Sequence, residues 1–255
     1  MAHAQSRYGW IPDLPDQRDR IYAAPLLVPA VLPRSVDLRP HCPPVYDQGR
    51  LGSCTANGIG AALQFERMKQ QLSPNFIPSR LFIYYNERVM EHTVDSDSGA
   101  QIRDGIKSVA RQGDCPEHAW PYDIVKFAEQ PPPSCYQEAL RDRAVSYQRL
   151  LQSLAQMKGC LAAGYPFVFG FSVYESFESP QVAQSGRVPM PQTGERLLGG
   201  HCMLATGYDD ERERFIVRNS WGKGWGKEGY CSMPYDYLAE AHLAADFWTI
   251  RLVSE

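Results

Sequence analysis

The chain has 255 residues, of which 44% are hydrophobic, with seven cysteines and a formal net charge of −3. That length buries a sizeable core, as one large domain or two small ones sharing an interface. The weak negative charge, with no block of like charges, argues against a nucleic-acid or anionic-membrane partner.

No apolar run approaches the roughly 18 residues of a membrane span. The segment from Met1 to Trp10 lacks the basic start and apolar core of a signal peptide. The expected location is the cytoplasm, or outside the cell by export without a recognisable signal. Cysteines without close CxxC pairs suggest neither a disulfide framework nor a zinc site, and fit a reducing compartment.

In chain order, residues 1–34 form an N-terminal extension. Pro12, Pro15, Pro25, Pro29 and Pro33 exclude a regular helix there and favour extended or turn geometry. Tyr8, Trp10, Ile11, Leu14, Ile21 and Tyr22 supply more anchoring side chains than a free tail needs, so this segment is expected to dock on the body or cleft. A helix follows from Ser53 to Gln71, with Ile59, Leu63 and Met68 at helical spacing and Ser53 as its N-cap. Further helices are expected over Ser79–Met90 and Ile102–Gln112, the latter stopped by Gly113.

The run Gln130-Pro131-Pro132-Pro133-Ser134 is the strongest boundary signal in mid-chain. One more helix is expected over Leu150–Ala163. Strands then follow over Phe167–Tyr174, His201–Tyr208, Phe215–Arg218, Gly229–Met233 and Phe247–Leu252. The mixed-charge run Asp209-Asp210-Glu211-Arg212-Glu213-Arg214 reads as a solvated hairpin tip. Helices first and strands second predict an α+β fold: a helical subdomain over 35–143, a β-rich subdomain over 144–255, and the active site in the cleft between them.

Three segments carry chemistry. In Gln48-Gly49-Arg50-Leu51-Gly52-Ser53-Cys54, the cysteine stands at the first turn of a helix, where free N–H groups and the helix dipole favour thiolate. The Cys54 N–H and the Gln48 amide can both donate to an oxyanion. A buried structural cysteine beside a polar turn is the plainer alternative. Second, Gly199-Gly200-His201-Cys202 places a histidine at the start of an apolar strand. Third, Asn219-Ser220-Trp221-Gly222-Lys223-Gly224-Trp225-Gly226 offers an amide oxygen to aim that histidine and an indole to cover the bond.

Together, in this order, the segments resemble the papain and cathepsin family of cysteine peptidases. The resemblance runs from about Ser35 to the C-terminus. It implies Cys54 as nucleophile, His201 as general base and acid, Asn219 as its orienting partner and Gln48 as oxyanion donor. It further implies that Trp221 shields the His–Asn pair and that Trp225 lines the leaving-group side of the cleft. Ser98-Gly99-Ala100 resembles the family's glycine strand, which pairs with extended substrate; a Ser-Gly turn before the next helix explains it equally. Substrate binding is thus expected at Ser98, Gly99, Gly199, Gly200 and Trp225.

Three positions depart from the pattern: Leu51 where many relatives carry a disulfide cysteine, Thr55 where an aromatic residue usually follows the nucleophile, and Gly200 where plant enzymes often carry Asp. Without a long helical prosegment, the chain resembles the bacterial and archaeal branch. The implied activity is peptide-bond hydrolysis through a thioester acyl-enzyme, without metal or organic cofactor, on a peptide or protein substrate. A thiol acyltransferase or isopeptidase would use the same triad, and an inactive peptide-binding module is a rival of another class. Side-chain preference and oligomeric state are not encoded legibly.

Overall fold

The computed structural model describes residues 8–22 and 32–254. In chain order its elements are β1 (Trp10–Ile11), β2 (Ile21–Tyr22), β3 (Ser35–Asp37), α1 (Cys54–Lys69), α2 (Arg80–Glu91), β4 (Ala100–Gln101), α3 (Ile102–Arg111), α4 (Pro133–Ala139) and β5 (Ala144–Leu150). Then come α5 (Leu154–Ala162), β6 (Phe167–Tyr174), α6 (Pro180–Ser185), β7 (Leu197–Asp209), β8 (Arg214–Arg218), β9 (Tyr230–Pro234), α7 (Tyr235–Ala239) and β10 (Ala244–Val253). The main sheet runs β2-β5-β10-β6-β7-β8-β9, with β3 pairing β7 off that path. A separate short ladder joins β1 to β4 in parallel.

The sheet has two apolar faces because its central strands alternate with period two. On β6 and β7, Phe167, Phe169, Phe171, Met203 and Ala205 enter one cluster with Phe215, Phe247 and Tyr237. Their neighbours Val168, Cys202 and Leu204 enter a second cluster with Ile59, Ala61 and Ala62 of α1. Helix α1 therefore lies against the sheet, buried nearly all round. Gly58 permits the approach, since a Cβ there would meet Cys202 Sγ and Val168 Cγ1 at 3.2 Å.

Two local expectations change. Ser53 occupies the N-cap position of α1, but its hydroxyl caps nothing. Its oxygen instead pairs with the Tyr122 hydroxyl at 2.5 Å and accepts from Asn57 Nδ2 at 3.2 Å. The helix expected from Leu150 begins only at Leu154, and Ala144–Leu150 forms β5. Pairing with β10 and β2 carries the strand through Leu150 and delays the helix. The proline run at 130–134 opens α4, with Pro133 in its first turn, where a missing N–H costs nothing.

Ser79 is a working cap. Its hydroxyl oxygen accepts from Phe82 N at 3.2 Å and its hydrogen is donated to Trp120 O at 2.7 Å. Ser79→Ala is expected to cost about 1–2 kcal/mol and lower Tm by roughly 2–8 °C, measured by calorimetry.

The N-terminal segment is a strap lying across the body. β1 pairs with β4, and β2 joins the sheet edge at β5. Of the side chains expected to anchor it, Tyr8 and Trp10 are packed against the body and Tyr22 is buried. Leu14 is 70% exposed and Ile21 46%, so they anchor nothing. The grip comes instead from charge. Asp19 is held by Arg103 at 2.6 Å and Arg149 at 3.2 Å, and Asp16 by Lys107 at 3.0 Å. Asp13 accepts from Arg103 N at 3.0 Å and Trp248 Nε1 at 2.9 Å. The segments 1–7 and 23–31, which include Pro25 and Pro29, lie outside the described residues.

Candidate active site

Cys54 is the first residue of α1 and is fully buried. The backbone N–H groups of Gly9, Cys202 and Thr55 bear on its sulfur, which places the thiol beside the His201–Cys202 peptide of β7. His201 Nε2 lies 2.9 Å from Asn219 Oδ1, which also accepts from Ser220 N at 2.8 Å. A backbone donor at Oδ1 fixes that atom as an acceptor, so Nε2 carries the imidazole proton and Nδ1 the lone pair. Nδ1 has no hydrogen-bond partner among the described residues. It is an available base in a dry site.

Trp221 stacks on the imidazole at 4.9 Å between centroids and 27° between planes, covering the His201–Asn219 bond. Phe171 and Phe177 close the ring's other sides at 5.7 and 6.5 Å. Trp225 is buried behind Trp221, edge-on to it at 5.3 Å and tilted on Phe177 at 5.5 Å. The structure thus places Trp225 as support for the shield rather than on the cleft surface. Gln48 is fully buried too; its Nε2 donates to Leu51 O at 2.9 Å and its Oε1 accepts from Ser220 Oγ at 2.6 Å.

The strap crosses directly over this group. The Tyr8 ring stands edge-on to His201 at 6.0 Å and lies against Gly199. Gly9 sits between Gly52 and Gly99, with its carbonyl accepting from Ala100 N at 2.7 Å. The ladder to the strap uses Ala100 and Gln101. Ser98 merely turns its hydroxyl onto Gly99 O. Trp10 lies on Gly200 and Gly170.

Burial sets the electrostatics. It pushes the Cys54 thiol up to about 12, against the lowering effect of the N–H groups, and lowers His201 to about 4. The helix start alone favours thiolate, but desolvation outweighs it here. Closed, the pair is thiol and neutral imidazole.

The residue after the nucleophile is also accounted for. Thr55 Oγ1 donates to Glu87 Oε2 at 2.8 Å, so a polar contact stands where the resemblance leads one to expect an aromatic ring. Glu87 is fully buried and its carboxyl is held well above the usual range, first by desolvation and then by the charge of Glu91. All seven cysteines are free thiols, and no cluster of His, Cys, Asp or Glu among the described residues is arranged to hold a metal.

Sequence reasoning missed Gly9, Asp13, Gly170 and Asp246. A signal existed for Gly170, because a lone glycine in the aromatic strand Phe167-Val168-Phe169-Gly170-Phe171 marks a close approach from outside. The aspartates at 13, 16 and 19 share a regular three-residue spacing, and only the fold reveals their partners.

A buried thiol at a helix start against the backbone N–H of Cys202, with the preceding imidazole aimed by an asparagine and roofed by an indole, defines a thiol-hydrolase site of the papain type. The chain matches the family model "Papain family cysteine protease" over residues 32–247. It belongs to that family. It is 42% identical to an uncharacterized peptidase C1-like protein of Acanthamoeba polyphaga mimivirus, over 97% of this chain and 88% of that one. A cathepsin B-like protein of Giardia intestinalis is 31% identical, over 78% of this chain and 68% of its own. Among solved structures, xylellain, a cysteine protease from Xylella fastidiosa, superposes with a TM-score of 0.90 at 48% identity, covering 96% of each chain. The protein is a papain-like cysteine peptidase of α+β fold, acting on peptides or proteins.

Proposed function

We propose that Cys54 is the nucleophile and His201 the base of a cysteine-dependent peptide hydrolysis that the strap holds latent. The observation that carries this reading is the His201–Asn219 bond at 2.9 Å beneath Trp221, beside a cysteine at a helix N-terminus. With the strap lifted, His201 Nδ1 takes the Cys54 proton and the thiolate attacks the scissile carbonyl. The Cys54 N–H and the Gln48 amide receive the developing oxyanion. His201 then gives its proton to the leaving amine and takes one from the water that releases the acyl group.

The strap itself escapes attack. It offers the thiol the Gly9 N–H, while the Gly9 carbonyl is turned to Ala100. Gly199 and Gly200 bind substrate in its place, and Gly99 backs the chain that enters.

The test uses full-length protein carrying Gly9→Ala, which loosens the strap, incubated with a peptide library and read by mass spectrometry. Cleavage is expected, together with labelling of one cysteine by an epoxysuccinyl inhibitor. Adding Cys54→Ala should abolish both. Cleavage that survives Cys54→Ala at an unchanged rate would remove Cys54 from the mechanism.

A further inference from the structure

Two thiols outside the active site lie against each other. Cys115 and Cys135 share a small apolar cluster with Phe82 and Ala139, and neither is more than 1% exposed. Cys135 Sγ donates to Ala119 O at 3.6 Å, which leaves its lone pairs to accept a hydrogen bond from the Cys115 thiol. A single buried cysteine acts as a small apolar residue and needs no partner. Two in sulfur-to-sulfur contact add a reaction that neither has alone.

The pair joins separate parts of the chain. Cys115 O accepts from Ser79 N at 2.8 Å, which ties this cysteine to the start of α2. Cys135 lies in α4, directly after exposed Pro133 and Ser134. The chain between them backs the loop that delivers Gln48 and Cys54. Glu117 holds Arg80 at 2.7 Å, and the Tyr122 hydroxyl donates to Gln48 O at 3.0 Å.

We infer that Cys115 and Cys135 are a disulfide-forming pair, which a small-molecule disulfide such as oxidised glutathione closes into a staple across residues 116–134. Cys135, next to exposed chain, attacks the reagent as thiolate and expels one of its thiols, leaving a mixed disulfide. Cys115 then attacks the Cys135 sulfur and expels the other. The protein gives up two electrons and two protons to form one S–S bond, and the reagent's S–S bond becomes two thiols. Burial holds both cysteines above the ordinary thiol range, and the hydrogen bond from Cys115 offsets this at Cys135, so Cys135 ionises first. The pair takes no part in peptide hydrolysis, and its test does not depend on catalysis.

The test uses full-length protein in two preparations. One is equilibrated natively with oxidised glutathione, and the other is refolded from guanidinium in mixed oxidised and reduced glutathione. Denaturation in N-ethylmaleimide should then alkylate two thiols fewer than the seven of the reduced chain. Digestion of either preparation should yield one linked pair of peptides, carrying Cys115 and Cys135, that dithiothreitol separates. The linked chain should melt roughly 4–10 °C above the reduced one, as a staple closing a loop of about twenty residues does.

Cys115→Ala and Cys135→Ala cannot form the staple. Whatever each does to packing, its Tm should be the same with and without oxidant. Seven reactive thiols in both preparations, a linked pair other than Cys115–Cys135, or an equal gain in Tm for Cys115→Ala would overturn the inference.

Discussion

Gly9→Ala is expected to unmask Cys54, raising its alkylation by iodoacetamide roughly 10- to 100-fold at neutral pH. A Cβ on Gly9 would stand 1.7 Å from the carbonyl oxygen of Gly52 and 3.0 Å from its Cα. Gly52 has little room to retreat, because its N–H is held by Asp97 at 2.9 Å and Asp97 accepts from Tyr84 at 2.6 Å. On the other side Gly99 presses on Gly9, where a Cβ would meet Gly9 O at 2.2 Å. Overpacking of this kind costs about 1–3 kcal/mol. Spent against the docked state alone, it multiplies the open population by about ten to a hundred. Gly170→Ala should give the same unmasking from the body's side, since its methyl group would occupy the place of the Trp10 ring. Labelling is located by peptide mass mapping, which separates Cys54 from the other thiols. If both variants fold and Cys54 reacts no faster, the strap is not the barrier.

How far the sequence could be read differs between the site and its cover. Cys54, His201 and Asn219 were legible because chemistry restricts their identities and their order, while the Gly/Trp run after Asn219 has few other uses. Strands β6 to β10 were legible because alternation and turn residues coincide. Strand β5 was not, since Ala144–Leu150 owes its form to pairing with β10 and the strap rather than to its own pattern. Docking of the strap was foreseeable from Tyr8 and Trp10, but the ion pairs from Asp13, Asp16 and Asp19 to α3 and β5 join residues 84 to 130 positions apart. No local pattern encodes such partners. The thiol's state was misjudged for a related reason. Helix position is a local property, whereas the burial that outweighs it belongs to the assembled fold.

The pH dependence of Cys54 should therefore change in kind when the strap opens. In the closed chain the thiol stands at about 12 and His201 at about 4. Thiolate then appears only as pH climbs toward 12, and imidazolium only as pH falls toward 4. At pH 7 the closed thiolate fraction is about 10⁻⁵, at a factor of ten per pH unit. Wild-type alkylation should rise steadily with pH across the neutral range. Opening returns water to both groups, so the thiol falls, the imidazole rises, and proton transfer between them yields the ion pair. In Gly9→Ala protein the rate should level off near neutrality, and kcat/KM should be bell-shaped. Asn219 then supplies the sign for the upper limb. Its hydrogen bond raises His201 against the desolvation that lowers it, so Asn219→Ala lets the imidazolium lose its proton sooner. Added to Gly9→Ala, it should shift the alkaline limb to lower pH and cut kcat about tenfold or more, with little change in KM. An alkaline limb that stays in place while kcat falls would mean that Asn219 acts on the fold around His201 and not on its proton.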